Sequence, residues 1–376
     1  MMSWEMTTKR GKKMRRGFTT GSCSAAAAKA AALMLFGGED VGEISIATPA
    51  GIPLKLPIGN IHRGMGMVSC SVKKDSGDDP DVTNGIDVFA AVKEKMDPGI
   101  TVLGGEGVGR VTRPGLQVEV GSPAINPVPM AMILQEVGAV LPPGKGVEVT
   151  ISIPGGEELA GKTFNAKIGV EGGLSILGTS GIVEPMSEEA FKEILSLEMK
   201  TLLPAFSDFL VLVPGNHGKN IARGQLSLPE ERVIKMSNFV GFMLDTCRHH
   251  GVKKLLLVGH IGKLLKVTAG IFHTHSRVAD ARFEVFAAHA ALLGADQEMI
   301  QKLHRCSSAE EMITVLDALQ VEGLYEGFAE KVSFRAGEYV SGEIEIGTIL
   351  FSLKRGILGM DEKAGKFVEE YAWKKS

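Results

Sequence analysis

The sequence predicts an α+β N-terminal domain followed by an α/β domain with a mostly parallel, Rossmann-like sheet, and three observations carry that expectation. The first half opens on an alanine-rich helical run and continues in short strands separated by turns. From about Gly169 onward, fully apolar strand segments alternate with helical ones, the pattern of a parallel sheet covered on both faces. In that second half, glycine-rich loops follow the strands directly, where open α/β sheets bind their ligands. With 376 residues and 44% hydrophobic side chains, the chain is long enough to bury two cores. We divide it into a basic mobile tail over 1–16, an α+β domain contributing substrate loops over 17–168, and an α/β, cofactor-binding domain over 169–376.

The elements follow in order. Lys9, Arg10, Lys12, Lys13, Arg15 and Arg16 crowd the start with Glu5 as their one acid, and no apolar run follows to make a secretion signal. Thr19, Thr20 and Ser22 supply hydroxyl caps to a helix over Ala25–Phe36, which stops at Gly37 and Gly38. Strands are expected near Gly42–Thr48, Ile52–Leu56 and Met67–Lys73; Ile86–Met96 fits strand or helix and is left unassigned. The loop Lys74–Gly85 gathers Asp75, Asp78, Asp79 and Asp81, compatible with an exposed turn or with a ligand loop for hydroxyls or a cation. Gly104–Gly115 is glycine-rich, but Pro114 interrupts it and no helix clearly follows, which argues against a dinucleotide turn; its Arg110 and Arg113 suit carboxylates. Three prolines in Ser122–Pro129 stiffen the entry to a helix near Met130–Val137.

In the second half, Leu174–Leu177 reads as a strand ending in Gly178-Thr179-Ser180-Gly181, and Glu188–Leu203 as a helix. Phe209–Val213 is an apolar strand ending in Pro214-Gly215-Asn216-His217-Gly218. A helix over Ser237–His250 leads to the strand Lys254–Val258, which ends in Gly259-His260-Ile261-Gly262-Lys263. Helices are expected from Ala279 to Leu319, and strands around Val340–Phe351. Loops starting at Gly178, Pro214 and Gly259 are thus expected on one rim.

The near balance of 41 basic and 44 acidic residues gives no reason to expect nucleic acid as a partner. Gly, Pro or charge interrupts every apolar run before membrane-spanning length, so no membrane partner is expected and the setting is read as cytoplasmic. Cys23, Cys70, Cys247 and Cys306 are too scattered for a zinc knuckle or redox pair and fit reduced thiols. Cys23 suits a small half-buried residue at a helix start better than a reactive thiolate. His260, His273 and His275 cluster without an acidic or thiol ligand at metal spacing, so no protein-bound metal is expected. His273 and His275 share a face only on an extended segment. Ser276, Arg277, Asp280 and Arg282 fit either a solvated helix start with an ion pair or part of a pocket.

The runs RGFTTGSCSAAAAKAA from Arg16, KDSGDDPDVTNG from Lys74, GGEGVGRVTRPGL from Gly104, PAINPVP from Pro123, GTSGIVEPM from Gly178 and GHIGKLLKVTAGIFHTHSR from Gly259 together resemble the cobalt-precorrin-5B C(1)-methyltransferase family. The similarity covers residues 16–350 in the family's order, with Met130 standing where arginine is expected in many relatives. It implies methyl transfer from S-adenosyl-L-methionine to carbon C(1) of a cobalt-bearing corrin precursor, giving cobalt-precorrin-6A in cobalamin synthesis. The cobalt would arrive inside this substrate. On that resemblance, Gly178, Thr179, Ser180, Gly181, Gly215, Asn216, Gly259 and Gly262 are expected to cradle the cofactor, with Glu184 or Asn216 gripping ribose. Asp78, Asp79, Arg110, Arg113, Lys263 and Arg277 are expected to bind the polycarboxylated substrate. His260, His273 and His275 are expected to position it or handle protons. A homo-oligomer is compatible with the sequence. Two other classes stay open: a small-molecule kinase, with phosphate at the helix start near Gly21, and a non-catalytic tetrapyrrole-binding protein.

Overall fold

In the computed structural model, residues 5–9, 12–64 and 66–372 are described. The chain divides into two compact units, Met1–Phe191 and Lys192–Ser376. The segment 169–191 therefore lies in the first unit, although the sequence grouped it with the second domain.

The first unit is built around helix α1 (Thr20–Gly37). Thr19 caps it by accepting from the Ser22 amide, and Gly38, at φ 80°, ends it by donating to the Met34 carbonyl. Every alanine of its run from Ala25 to Ala32 is buried. A helix apolar all round has to be enclosed, and small side chains let its neighbours approach closely. One side meets helix α2 (Pro127–Gly138), and others meet the strands Glu43–Ile46, Met67–Lys73 and Asp87–Lys95. The last of these resolves the ambiguous Ile86–Met96 stretch: Val88, Ala90 and Val92 alternate into the core, so period two prevails. The five-stranded sheet runs Gly59–Gly64, Met67–Lys73, Asp87–Lys95, Gly146–Ser152, Gly99–Gly104, with the final pair parallel and the others antiparallel. A partly buried Lys29–Glu136 ion pair, 2.7 Å, ties α1 to α2, while Glu136 also accepts from the Ala47 amide.

A mobile tail is not what the described residues of 1–16 form. Met6–Lys9 and Lys12–Arg15 pair as an antiparallel hairpin. Its charges are the reason: Arg15 makes a two-pronged contact with Asp75, and Arg16 pairs with Glu184 at 2.5 Å. Met1–Trp4, Arg10 and Gly11 of that tail lie outside the described residues.

The strand expected over Leu174–Leu177 is not part of the later sheet. Leu174 and Ile176 are buried in the first unit through isolated bridges to Val108 and Ile125. Four apolar residues demand burial but do not specify which sheet provides it.

The second unit carries a five-stranded sheet of β1 (Phe209–Val213), β2 (Val233–Lys235), β3 (Lys254–His260), β4 (Glu345–Ser352) and β5 (Gly356–Met360). Its spatial order is β2-β1-β3-β4-β5, parallel except for the last pair. Every residue of β1 is buried, as a central strand covered on both faces requires. Helix α3 (Asn216–Gly224) follows β1, and α4 (Val240–His249) precedes β3. The expected helical stretch contains three helices, Arg282–Leu292, Gln297–Arg305 and α5 (Ala309–Asp317). Among the described residues, no helix is long and apolar enough to cross a membrane.

Candidate active site

The strand order of the second unit reverses between β1 and β3. From β1 the chain moves out to β2, then returns past β1 to reach β3, so loops leave adjacent strand ends in opposite directions, the arrangement at which open α/β sheets form a ligand crevice. These two strand ends carry two of the glycine loops singled out in the sequence. After β1, Gly215 starts α3 without a side-chain cap, leaving first-turn amides directed outward. Gly218 allows that helix to lie against the sheet, since a Cβ there would come within 2.8 Å of the Val258 carbonyl oxygen. Near the end of β3, a Cβ on Gly259 would lie 2.6 Å from Leu264 and 3.1 Å from Pro214. The β1 and β3 loops are in contact across this glycine.

The ends of the neighbouring strands join the same rim. Asn238, just beyond β2, accepts from the Lys263 ammonium at 3.0 Å, linking the β2 and β3 loops. Ser237 before it holds a left-handed φ of 54°, a strained conformation for a residue with a side chain. At the other side, Glu310 in the first turn of α5 accepts from Ser352 at 2.9 Å and from the Leu353 amide at 2.8 Å, and meets His260 Nε2 at 2.8 Å. Partial burial works against ionisation of this carboxyl, but the hydrogen bonds from His260, Leu353 and Ser352 outweigh it and hold the pKa below the usual range.

His260 is consequently committed. Its Nδ1 accepts from the Gly262 amide at 3.1 Å, which requires the proton on Nε2, and that proton points to Glu310. With both nitrogens engaged, His260 holds the β3 loop to α5 and to the Gly262 amide.

The other two histidines sit on an irregular segment pinned to the same rim. The Thr274 amide donates to the Asn238 carbonyl at 2.9 Å. Lys266, almost fully buried, donates to the carbonyls of Thr274 at 3.2 Å and Ala279 at 2.8 Å. His273 forms an isolated bridge with Phe239, and the rings of His273 and His275 lie 6.4 Å apart. His273 also stands edge-on to Phe239 at 5.1 Å, and His275 Nδ1 accepts from the Arg277 amide. Arg277 itself is exposed. Asp280 and Arg282 form a two-pronged ion pair at 2.6 Å, the bland alternative the sequence offered for them.

The remaining expected residues belong to the first unit, where the structure gives most of them other partners. The loop Gly178–Gly181 wraps the start of α1: the Gly181 carbonyl accepts from the Thr19 amide and Ser22 hydroxyl, Ser180 binds Ile182, and a Cβ on Gly178 would meet Thr19 at 2.3 Å. Thr179 lies between them. The Gly21 amide donates to Leu177, so the α1 start is sealed by protein. This removes the phosphate cradle on which the kinase alternative rested. Glu184 is paired with Arg16, Asp78 accepts from the Arg15 amide, and Asp79 accepts from the Met186 amide. Lys74, buried, pairs with Asp81 at 2.6 Å. The acidity of this loop thus serves backbone amides inside and outside it and two cations. Arg110 donates to the Gly121 carbonyl, and Arg113 is exposed.

Three of the four thiols are inert by placement. Burial pushes Cys23, Cys70 and Cys247 up to about 12, while Cys306 is partly exposed. In the native protein, a thiol reagent such as Ellman's is expected to label Cys306 alone, and the other three cysteines only after unfolding. Rapid labelling of Cys23 without denaturant would contradict the packing of α1.

Sequence reasoning missed Asn238, Lys266 and Glu310. Asn238 follows a strand of only three residues, and Lys266 sits inside the apolar run Leu264–Val267, where it reads as a surface interruption. Glu310 lies fifty positions from His260 and gave no signal.

These features define a mixed α/β protein with an open, mostly parallel sheet, a class that takes small ligands at the carboxyl edge. The family described as CbiD matches residues 7–185, and its C-terminal domain matches residues 273–362. A cobalt-precorrin-5B C(1)-methyltransferase of Alkaliphilus metalliredigens is 49% identical over 361 residues, covering 96% of each chain. One of a Thermoanaerobacter species is 50% identical over 365 residues, covering 96% of this chain and 99% of the relative. A crystal structure of a cobalamin biosynthesis protein from Archaeoglobus fulgidus is 30% identical, with a TM-score of 0.39, covering 73% of this chain and 86% of that one. The chain belongs to the cobalt-precorrin-5B C(1)-methyltransferase family.

Proposed function

We propose that the chain is an S-adenosyl-L-methionine-dependent methyltransferase acting on C(1) of cobalt-precorrin-5B to give cobalt-precorrin-6A, in the cytoplasm. The donor is held at the β1/β3 crevice of a Rossmann-like second unit. One observation carries this reading beyond family membership: two glycine loops, in contact through Gly259 and Pro214, fall where the strand order reverses. The crevice fits such a donor, because a Cβ on Gly215 would meet nothing within 4 Å and α3 offers uncapped amides beside it.

The sulfonium, when bound, supplies an already activated methyl group. The protein then has to orient and to exclude water, not to provide a nucleophile. Asn216, at the start of α3, takes the polar end of the donor in place of Glu184. The segment with His273 and His275 faces the tetrapyrrole and handles the proton lost at the ring, and Arg277 reaches its carboxylates. His260 and Glu310 keep the β3 loop in place.

Calorimetric titration of the full chain with S-adenosylhomocysteine, followed by mass spectrometry of cobalt-precorrin-5B incubated with enzyme and donor, tests this. Saturable binding and one added methyl group at C(1) are expected. Tetrapyrrole binding with neither donor binding nor methylation would instead leave a carrier, and ATP-dependent phosphate transfer a kinase.

A further inference from the structure

Three cations and one carboxylate converge beside the crevice. Lys263 is partly buried, and among the described residues its ammonium donates to a neutral amide, Asn238 Oδ1 at 3.0 Å. Lys266 is buried and, among the described residues, its ammonium donates to the carbonyls of Thr274 and Ala279. The charges that act on Lys266 are Asp280, Arg282 and Lys263, and Asp280 is already engaged with Arg282. Burial lowers the pKa of both lysines; at Lys266 the Asp280 carboxylate works against this, while Arg282 and Lys263 add to it. Holding two like-charged ammonium groups in a partly dehydrated place is unfavourable unless an anion joins them. Stability alone would be better served by apolar side chains at these positions.

We propose that Lys263, oriented by Asn238 and backed by the field of Lys266, is the counter-ion of a ligand alkyl carboxylate. The proposal rests on the reading of the β1/β3 crevice as the ligand site. It gives the rim its specificity: Asn238 at the end of β2 holds the ammonium toward the end of β3, and the arriving carboxylate completes the charge balance. Two carboxylate sources share this chemistry, the amino-acid end of the methyl donor and the peripheral acid groups of the tetrapyrrole.

The test uses the full-length Lys263→Met variant, with Lys263→Arg as the charge-retaining control. Affinity is measured for S-adenosylhomocysteine and for 5′-methylthioadenosine, which lacks the carboxylate, together with KM for the tetrapyrrole. If the donor's acid binds here, S-adenosylhomocysteine weakens about tenfold or more while 5′-methylthioadenosine is unchanged. If the substrate's acid binds here, both adenosyl ligands are unchanged and KM rises about tenfold. In either case Lys263→Arg restores most of the loss, and the melting temperature of Lys263→Met equals or exceeds that of the parent. Affinities and KM all within twofold of the parent overturn the proposal. So does equal weakening of both adenosyl ligands, or a fall in melting temperature with binding intact. A parent that binds no S-adenosylhomocysteine, beside a Lys263→Met variant with raised KM, would overturn the donor site and leave this locus standing.

Discussion

Valine at position 259 is expected to weaken S-adenosylhomocysteine binding on the order of a hundredfold, about 2.7 kcal/mol. The first carbon of that side chain would lie 2.6 Å from Leu264 and 3.1 Å from Pro214, so the β1 and β3 loops must separate. The same change also lowers stability, by about 1–3 kcal/mol, because it overfills a packed contact. Gly259→Val alone therefore cannot distinguish a lost pocket from a disturbed loop. Gly215→Val does: its backbone is extended at φ −177°, open to any residue, and its Cβ enters free space. Calorimetry should show reduced affinity for Gly215→Val with an unchanged urea midpoint. Full affinity in both variants would remove the donor from this crevice.

Gly178→Val acts on the other unit and on stability. Gly178 has φ 134°, a region hostile to side chains, and its Cβ would strike the Thr19 hydroxyl at 2.3 Å. Backbone strain and overpacking together are expected to cost about 3–5 kcal/mol. Urea unfolding of the full chain should record this as an early transition, since Thr19 caps the buried helix α1. Donor affinity measured below that transition should stay within about threefold of the parent, because the β1 and β3 loops belong to the second unit. A hundredfold loss of donor affinity with unchanged stability would instead return the Gly178 loop to cofactor binding.

The two glycine substitutions were equivalent as read from the sequence. They diverge because a glycine-rich run signals close approach of the backbone without saying to what. At Gly178 the neighbour is Thr19 of the same unit; at Gly215 there is open space. The histidines show the same division. Their clustering was legible from spacing, but which one is committed was not, since Glu310 reaches His260 from across fifty positions. For the aspartates of Lys74–Gly85, excess charge was visible, yet Arg15 and Lys74 as its recipients were not.

Local chemistry by itself settled the α1 helix with its hydroxyl cap and glycine stop, the apolar strands Phe209–Val213 and Lys254–Val258, the latter two residues longer in the structure, and the glycine-rich runs at their ends. Those features depend on capping, periodicity and chain stiffness, which act over a few residues. Tertiary structure alone decided that 174–181 packs into the first unit, that β1 and β3 are neighbours, and that Asn238, Lys263, Lys266 and Glu310 meet near one rim. Strand order and buried charge pairs are set by which surfaces can be enclosed together, and that is a property of the whole chain.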